Sequence, residues 1–218
     1  MADTFETYAD EFSFPRTDLT RSTADYAARL QPDWLLNHSI RAYVFGRQVG
    51  VERGLAPGTD YDDELLFIGC VLHDLGLTPD GDGPHRFEVD GANLAADFLA
   101  GQGVDPERIG VVWDGIALHT SYELTERRPE ARLLQSGTTL DIIGPRDQLS
   151  AGLVERTLAA FPRKDSTRLL GDAIIDQALR NPAKGAPTTF AGELLRQRHP
   201  DRALPTWDQL VAASGWAD

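Results

Sequence analysis

The chain has 218 residues, of which 41% are hydrophobic and 25% charged, a composition typical of a folded globular domain. Its formal net charge of −13 repels a phosphate backbone, so nucleic acid is excluded as a partner. The acidic N-terminal segment does not resemble a signal peptide, and no apolar run is long enough to span a membrane. We therefore expect a cytoplasmic protein without a membrane partner. The single cysteine, Cys70, lies in an apolar run and predicts a core thiol.

Hydrophobic periodicity predicts helices along most of the chain, and segments rich in proline and glycine separate them. The predicted helices span about residues 33–50, 62–75, 87–100, 105–119, 130–142, 147–160, 166–180, 188–198 and 206–213. This pattern predicts an all-α bundle of about eight or nine helices that forms a single domain over residues 1–218. The motif-bearing core is expected at about 33–145, followed by C-terminal helices at 146–218.

The adjacent pair His73 and Asp74 is the sharpest local feature, because it ends an apolar helix directly before Leu75 and Gly76. An acid at a helix C-terminus opposes the helix dipole and costs roughly 0.3–1 kcal/mol. A bound cation would offset that cost. The alternative interpretation is a polar end of the helix that binds no ligand.

Other polar residues also fall among apolar neighbours in predicted helices, namely His38, His119 and Asp141. Burying an imidazole is costly unless its nitrogens find partners, and a metal ion is one such partner. A single buried histidine is more often only hydrogen-bonded, and Asp141 could instead cap a helix or form a salt bridge. Histidine and aspartate side chains from several helices can close a metal site at the centre of a bundle.

A glycine lies four residues before each of His73, His119 and Asp141. Residues four apart share one face of a helix, and a glycine in a helix interior costs roughly 1 kcal/mol relative to alanine. We interpret these glycines as keeping space clear for an ion, water or substrate. The three glycines are Gly69, Gly115 and Gly137.

The order His38 … His73-Asp74 … Asp141 resembles the H…HD…D signature of the HD superfamily of metal-dependent hydrolases. Flanking segments over about residues 33–145 are similar to its cyanamide hydratase-like branch, namely Asn37–Tyr43, Asp63–Leu66, His73–Thr78, Arg86–Ala92 and Ile116–Thr120. The resemblance implies an HD-type helical fold and one divalent metal ion bound by His38, His73, Asp74 and Asp141. Zn²⁺ is the first expectation for that ion, and Fe²⁺ or Mn²⁺ are the alternatives.

We assign catalytic roles at this site to Asp74, His119 and Glu88. Asp74 would ligate the ion and steer a water, His119 would transfer protons, and Glu88 would accept a substrate N–H or act as a base. A purely structural position for His119 and a pairing of Glu88 with Arg86 are the alternatives. The predicted substrate-binding residues are Trp34, Asn37, Arg86, Phe87 and Thr120.

The acidic composition and the lack of a phosphate-binding glycine loop favour a small uncharged substrate. We predict a metal-dependent hydratase or hydrolase that activates water for attack on a small nitrogen-containing molecule, first of all cyanamide, which would yield urea. One alternative is a nucleotide or phosphate-ester phosphohydrolase that uses Arg41 or Arg86 as its cation. The other is a metal-containing ligand-binding protein without catalysis. Apolar pairs at 169–170 and 174–175 would suit either a homo-oligomer or packing on the core.

Overall fold

The computed structural model describes residues 2–202 and 204–216, and among these residues no β-strand forms. The eleven α-helices of the described residues are α1 (Ala2–Tyr8), α2 (Asp18–Leu30), α3 (Asp33–Glu52), α4 (Asp63–Leu72), α5 (Phe87–Gly101), α6 (Pro106–Leu118), α7 (Pro129–Ile142), α8 (Ala151–Ala160), α9 (Ser166–Arg180), α10 (Phe190–Arg198) and α11 (Trp207–Ser214). Short 3₁₀ turns connect several of them. The all-α prediction is confirmed for this part of the chain.

The predicted number of eight or nine helices was too low because α1 and α2 precede the first predicted helix. The buried face of α2 consists of Thr20, Thr23 and Ala27. Leu19, Tyr26 and Leu30 of α2 also pack, partly buried, against the core, so the helix is amphipathic and the sequence analysis overlooked its pattern. A better signal is its start, where Thr17 and Thr20 form a reciprocal capping box.

Helix α4 is the central helix of the bundle, and its residues 65–72 are all buried. It contacts α2, α3, α6 and α7. Its start is fixed by Asp62, whose carboxylate accepts a hydrogen bond from the backbone N–H of Leu65 at 3.1 Å. Cys70 is fully buried within α4, and burial raises the pKa of its thiol well above its usual range. The prediction of a core thiol is therefore confirmed.

Helices α3 and α7 pack backbone to backbone at Gly137. A Cβ atom at this position would lie 1.9 Å from the backbone oxygen of Ala42, so only glycine permits the contact. This close approach carries His38 of α3 to within hydrogen-bond distance of Asp141, one turn further along α7. Gly137 therefore makes room for a neighbouring helix.

The other two glycines of the pattern also serve helix packing. A Cβ atom at Gly69 would lie 3.0 Å from Cδ1 of Leu134, and one at Gly115 would lie 3.5 Å from the same atom. The interpretation that the three glycines keep space for an ion or substrate was wrong. Their common feature is contact between helices, which the pattern of a single helix cannot reveal.

The C-terminal helices pack against the motif-bearing helices. Ile174 of α9 is buried against Phe87 of α5, and the Gln177 amide donates a hydrogen bond of 2.7 Å to the backbone oxygen of Gly76. Helix α9 thus supports the segment that follows His73 and Asp74. A single domain over the whole chain and a homo-oligomer both stay predictions. Within the described residues, no helix has both the length and the apolarity that a membrane span requires.

Candidate metal centre

Three buried side chains, His38, His73 and Asp74, form what we call the metal cluster, and their ligand atoms all lie within 4.8 Å of one another. His38 comes from the first half of α3, whereas the other two residues follow the end of α4. The backbone leaves the helical conformation at Asp74, so adjacent side chains can turn toward the same point. Oδ2 of Asp74 lies 3.0 Å from Nε2 of His73 and 3.5 Å from Nε2 of His38.

Hydrogen bonds on the far side of each imidazole determine which nitrogen is free. Nδ1 of His73 lies 2.7 Å from the backbone oxygen of Cys70, and a carbonyl can only accept, so Nδ1 carries the proton. Nδ1 of His38 lies 2.7 Å from Oδ2 of Asp141, which is also an acceptor. In the neutral rings, each Nε2 is therefore an unprotonated lone pair that faces Asp74.

The metal cluster consequently brings acceptors together, and it fits a cation. Asp74 Oδ2 is buried and accepts no hydrogen bond, which is costly for a carboxylate unless a positive charge compensates it. Burial alone would lower the pKa of His73, but the negative charge of Asp74 raises it. Burial alone would raise the pKa of Asp74, but His73 lowers it to about 2. Two imidazoles and a carboxylate suit Zn²⁺, Fe²⁺ or Mn²⁺.

Asp141 lies on the Nδ1 side of His38, away from Asp74. Its carboxylate accepts two hydrogen bonds from the fully buried Arg41, at 2.8 and 2.7 Å, and one from Arg163 at 3.1 Å. Burial would raise the pKa of Asp141, but the hydrogen bonds of His38 and Arg41 hold it well below its usual range. The carboxylate thus already has a cationic partner, and its role as a metal ligand stays a prediction.

His119 follows the last residue of α6 and lies beside His73, with the ring centroids 5.0 Å apart. Its Nδ1 lies 2.6 Å from the backbone oxygen of Ile116, and its Nε2 lies 3.9 Å from Oδ1 of Asp74. Burial and the neighbouring charge of His73 lower the pKa of His119 to about 4. The ring is therefore neutral near pH 7, with its free nitrogen toward the metal cluster.

Glu88 on α5 is a second buried carboxyl group near the metal cluster. Its Oε1 accepts a hydrogen bond of 2.5 Å from the Thr120 hydroxyl, whereas its buried Oε2 accepts none. Arg86 Nε lies 3.8 Å away, a loose ion pair. Burial raises the pKa of Glu88, although the Thr120 hydrogen bond opposes the rise. Oε2 of Glu88 is therefore a buried carboxyl oxygen that lacks a hydrogen-bond partner among the described residues.

A cavity of about 110 Å³ is lined by the three residues of the metal cluster and by His119. Its apolar walls include Phe87, Ile142, Ile174 and Phe190, and its hydroxyl groups come from Thr120, Tyr122, Thr138 and Thr139. Among the described residues that line it, there is no lysine or arginine. The cavity therefore offers metal ligands, apolar surface and a few hydroxyls.

A model of the HD domain family matches residues 35–150 of the chain. The chain belongs to the HD domain family. Two similar proteins are the cyanamide hydratases DDI2 and DDI3 of Saccharomyces cerevisiae, each 30% identical over 68% of this chain and 68% of the relative. The predicted HD superfamily and its cyanamide hydratase-like branch are thereby confirmed. Membership supports the class of metal-dependent hydrolases and lyases that act on small molecules.

Within this HD domain, two of the five predicted substrate-binding residues, Phe87 and Thr120, line the cavity over the metal cluster. Trp34, Asn37 and Arg86 are not among its lining residues. Asn37 instead lines a separate cavity of about 330 Å³, because neighbouring side chains on a helix point about 100° apart. Substrate contacts of these three residues stay predictions that the described cavity does not support.

The sequence analysis missed residues at the mouth of the HD-domain cavity. Tyr122, Ile143 and Phe190 line it and are exposed to solvent. They come from the loop after α6, the residue after α7 and the start of α10. No sequence pattern links three such distant positions, so only the packing of the C-terminal helices reveals them.

Proposed function

We propose that the chain is a metal-dependent hydratase that adds water to a small uncharged nitrile, with cyanamide as the leading substrate and urea as the product. The observation that carries this proposal is the small cavity over the metal cluster, about 110 Å³ in volume. Because the cavity is small, it suits a molecule of a few atoms beside a reacting water. Drug-sized ligands need about 300–1,000 Å³.

The charges around the cavity argue against a phosphate ester as substrate. Arg41 is fully buried and bound to Asp141, and Arg86 donates a hydrogen bond to the backbone oxygen of Ala117 at 3.2 Å. Neither side chain lines the cavity. A phosphate group normally requires such cationic partners, so no feature of the cavity favours the phosphohydrolase alternative.

A divalent metal ion bound at the cluster would supply Lewis acidity, which lowers the pKa of water toward 7. In the proposed hydration, the water oxygen forms a bond to the nitrile carbon and one carbon–nitrogen π bond breaks. A proton from the water ends on the nitrile nitrogen, and the resulting isourea rearranges to urea. Asp74 Oδ2 accepts no hydrogen bond from the described residues and would accept one from the reacting water, which would fix the direction of attack.

Glu88 is the group that we propose for proton exchange with the nitrile nitrogen. Its hydrogen bond from Thr120, a residue that lines the cavity, holds the carboxyl group against the cavity wall. Oε2 is buried and has no hydrogen-bond partner among the described residues, although Glu88 itself is not among the residues that line the cavity. Burial raises the pKa of Glu88 above its usual value, the direction that suits a general acid–base group.

The proposal is tested by incubating the metal-loaded protein with cyanamide and, separately, with a panel of mononucleotides, while urea and phosphate are measured. We expect urea from cyanamide and no phosphate. Glu88→Gln should lower kcat about 10²- to 10⁴-fold with metal content unchanged, whereas Glu107→Gln, at an exposed position of α6, should match wild type. Phosphate without urea would refute the proposal, and metal binding without either product would favour a non-catalytic ligand-binding protein.

A further inference from the structure

We propose that the second cavity, which is bounded by α1, α2, α3, α4 and α8, is a ligand site of its own. Its ligand is a small uncharged aromatic molecule of two fused rings that carries one hydrogen-bond donor. We call this space of about 330 Å³ the aromatic cavity. No described residue lines both the aromatic cavity and the cavity over the metal cluster. The inference therefore goes beyond the proposed function and does not depend on the hydration reaction.

The size of the aromatic cavity fits a ligand rather than a packing defect. Protein interiors are close-packed and contain few voids larger than a water molecule. Sites for small molecules begin at about 300 Å³, and the aromatic cavity, at about 330 Å³, lies in that range. An engineered apolar cavity of about 150 Å³ binds benzene. Roughly twice this volume therefore suits two fused rings.

Small side chains from two helices keep the aromatic cavity open. Ala24 and Ala28 of α2 line it, and Ala160 at the end of α8 also lines it. Ala24 and Ala28 are four positions apart, so they lie on one face of α2. A leucine at any of the three positions would occupy part of the space. These positions thus provide a direct way to close the cavity.

Four buried phenylalanines form a preformed aromatic wall, namely Phe5, Phe14, Phe67 and Phe161. Phe14 is central, since its ring centroid lies 5.6 Å from that of Phe5 and 5.5 Å from that of Phe67. The centroid of Phe161 lies 6.3 Å from that of Phe14. Aromatic rings attract one another at centroid distances of about 4.5–7 Å, so an aromatic ligand would extend this cluster. An aliphatic ligand would fill the space without such contacts.

The charges of the lining residues favour an uncharged ligand. Nζ of Lys164 lies 2.7 Å from Oδ2 of Asp33, so the two charged side chains compensate each other. Among the described residues that line the aromatic cavity, no other side chain is charged. A charged ligand would have to leave water without a free counter-charge, which is costly.

Asn37 supplies the uncharged polar group of the lining. Its amide nitrogen donates a hydrogen bond of 2.9 Å to the backbone oxygen of Pro162, which fixes the orientation of the amide group. The amide oxygen is then an acceptor on the cavity wall. A ligand with one N–H or O–H donor therefore matches the aromatic cavity better than a pure hydrocarbon.

The decisive experiment titrates the wild-type chain with indole as the probe, while methyl ¹H–¹³C spectra are recorded. We expect the methyl resonances of Ala28, Ile40 and Val71 to shift and to saturate at one indole per chain. Ile142 and Ile174 line the cavity over the metal cluster, and their resonances should stay unchanged as internal references. Shifts that do not saturate, or shifts confined to Ile142 and Ile174, would overturn the inference.

Two neighbouring variants in α8 locate the indole site. Ala160→Leu fills part of the aromatic cavity and should weaken indole binding about 5- to 150-fold, because the ligand and the new side chain compete for one space. The matched control is Ala159→Leu, at an exposed position that does not line the cavity, and it should bind indole like wild type. If circular dichroism shows that Ala160→Leu unfolds, Ala28→Leu in α2 replaces it. Equal affinities of the folded cavity variant and Ala159→Leu would overturn the inference.

Two further probes test the chemical class of the ligand. N-methylindole lacks the N–H donor and should bind about 2- to 10-fold more weakly than indole. Naphthoate has two fused rings but a negative charge, and it should bind more weakly still. Naphthoate binding as tight as that of indole would overturn the uncharged class, and equal affinities of the two indoles would overturn the donor. All titrations are performed without cyanamide, so a failure of the proposed hydration would leave this result unaffected.

Discussion

The metal cluster and the cluster around Lys184 both bury carboxylates, but they compensate the charge in different ways. Lys184 is 2% exposed, and its Nζ lies 2.6 Å from Oδ1 of Asp82 and 3.0 Å from Oδ2 of Asp90. That cluster therefore contains its own cation and is closed. In the metal cluster, Asp74 meets only imidazoles, and no lysine or arginine of the described residues lies within ion-pair distance of it.

The difference shows which buried acid in this molecule indicates a ligand. Asp90 has Lys184 as its cation, and Asp141 has Arg41. Asp74 has no lysine or arginine within ion-pair distance among the described residues. Burial of an acid is common to all three, so the lack of a permanent cation, rather than burial, distinguishes Asp74.

Removal of the metal should give the largest loss of thermal stability, and this loss should come from the metal cluster alone. A ligand present at a thousandfold its Kd stabilises a protein by about 4 kcal/mol, which corresponds to roughly 10 °C in Tm at this chain length. Thermal unfolding with and without a chelator measures the shift.

Two variants assign that shift to one cluster. Asp74→Asn should abolish the response to the chelator, whereas Lys184→Met should retain it in full. An equal chelator shift in wild type and Asp74→Asn would place the stabilising ion elsewhere.

Lys184→Met should give the next largest loss of stability, because it leaves Asp90 as an uncompensated buried charge. Breaking a buried ion pair costs about 3–5 kcal/mol, and we expect about 3 kcal/mol because Asp82 is partly exposed. The free energy of unfolding is measured by urea titration.

The matched control is Lys164→Met, which removes an exposed ion pair with Asp33. Such surface pairs contribute about 0–1 kcal/mol. Similar losses of unfolding free energy in Lys184→Met and Lys164→Met would mean that the buried ion pairs of Lys184 contribute no more than an exposed pair.

Gly137→Ala tests how the close contact of α3 and α7 supports the metal cluster. The new methyl group would overlap the backbone oxygen of Ala42, and overpacking of this kind costs about 1–3 kcal/mol. Metal affinity should also fall, since the helices must separate and His38 moves with α3.

The control for this variant is Gly110→Ala in α6, where a Cβ atom meets nothing within 4 Å. It should raise the free energy of unfolding by about 0.5–1 kcal/mol and leave metal affinity unchanged. Stabilisation by Gly137→Ala would contradict the observed helix contact.

Much of the fold and part of the site could be predicted from the sequence. Helices α3 to α11 carry large apolar residues at helical spacing or clear start signals, so periodicity identifies them. His73 and Asp74 can be recognised because they are polar or charged residues that end an apolar helix, whereas the prediction of His38 depends mainly on the family resemblance. The cluster that they form in the structure agrees with the local physics of the helix end.

The remaining features depend on contacts between distant segments. Asp82 and Lys184 both lie in glycine- and proline-rich segments that resemble solvated loops, yet they meet across 102 positions. Asp141 also fits the pattern of a metal ligand in the sequence, and its ion pair with Arg41 is evident only in the structure. Which buried acids already have a cation is thus decided by tertiary packing.

Asp82→Asn should give the smallest loss of stability, and the pH dependence of this loss sharpens the comparison of the two clusters. Burial would raise the pKa of Asp82, but hydrogen bonds from Lys184 and Arg180 lower it below the usual value of about 3.9. A lowered pKa in the folded state means that the stabilisation is complete above the unfolded-state pKa and is lost as the pH falls through the folded-state pKa. The advantage of wild type over Asp82→Asn should therefore be constant from about pH 5 to 7 and shrink below about pH 4.

Thermal unfolding of both proteins across this pH range, without metal, isolates the contribution of this one carboxylate. The expected effect is small because Asp82 is partly exposed and water screens its ion pairs. A wild-type advantage that stays constant down to pH values well below 4 would show that Asp82 acts through neutral hydrogen bonds. In that case the closed cluster would rest on the ion pair of Lys184 with Asp90 alone, and the contrast with Asp74 would depend on a single buried lysine contact.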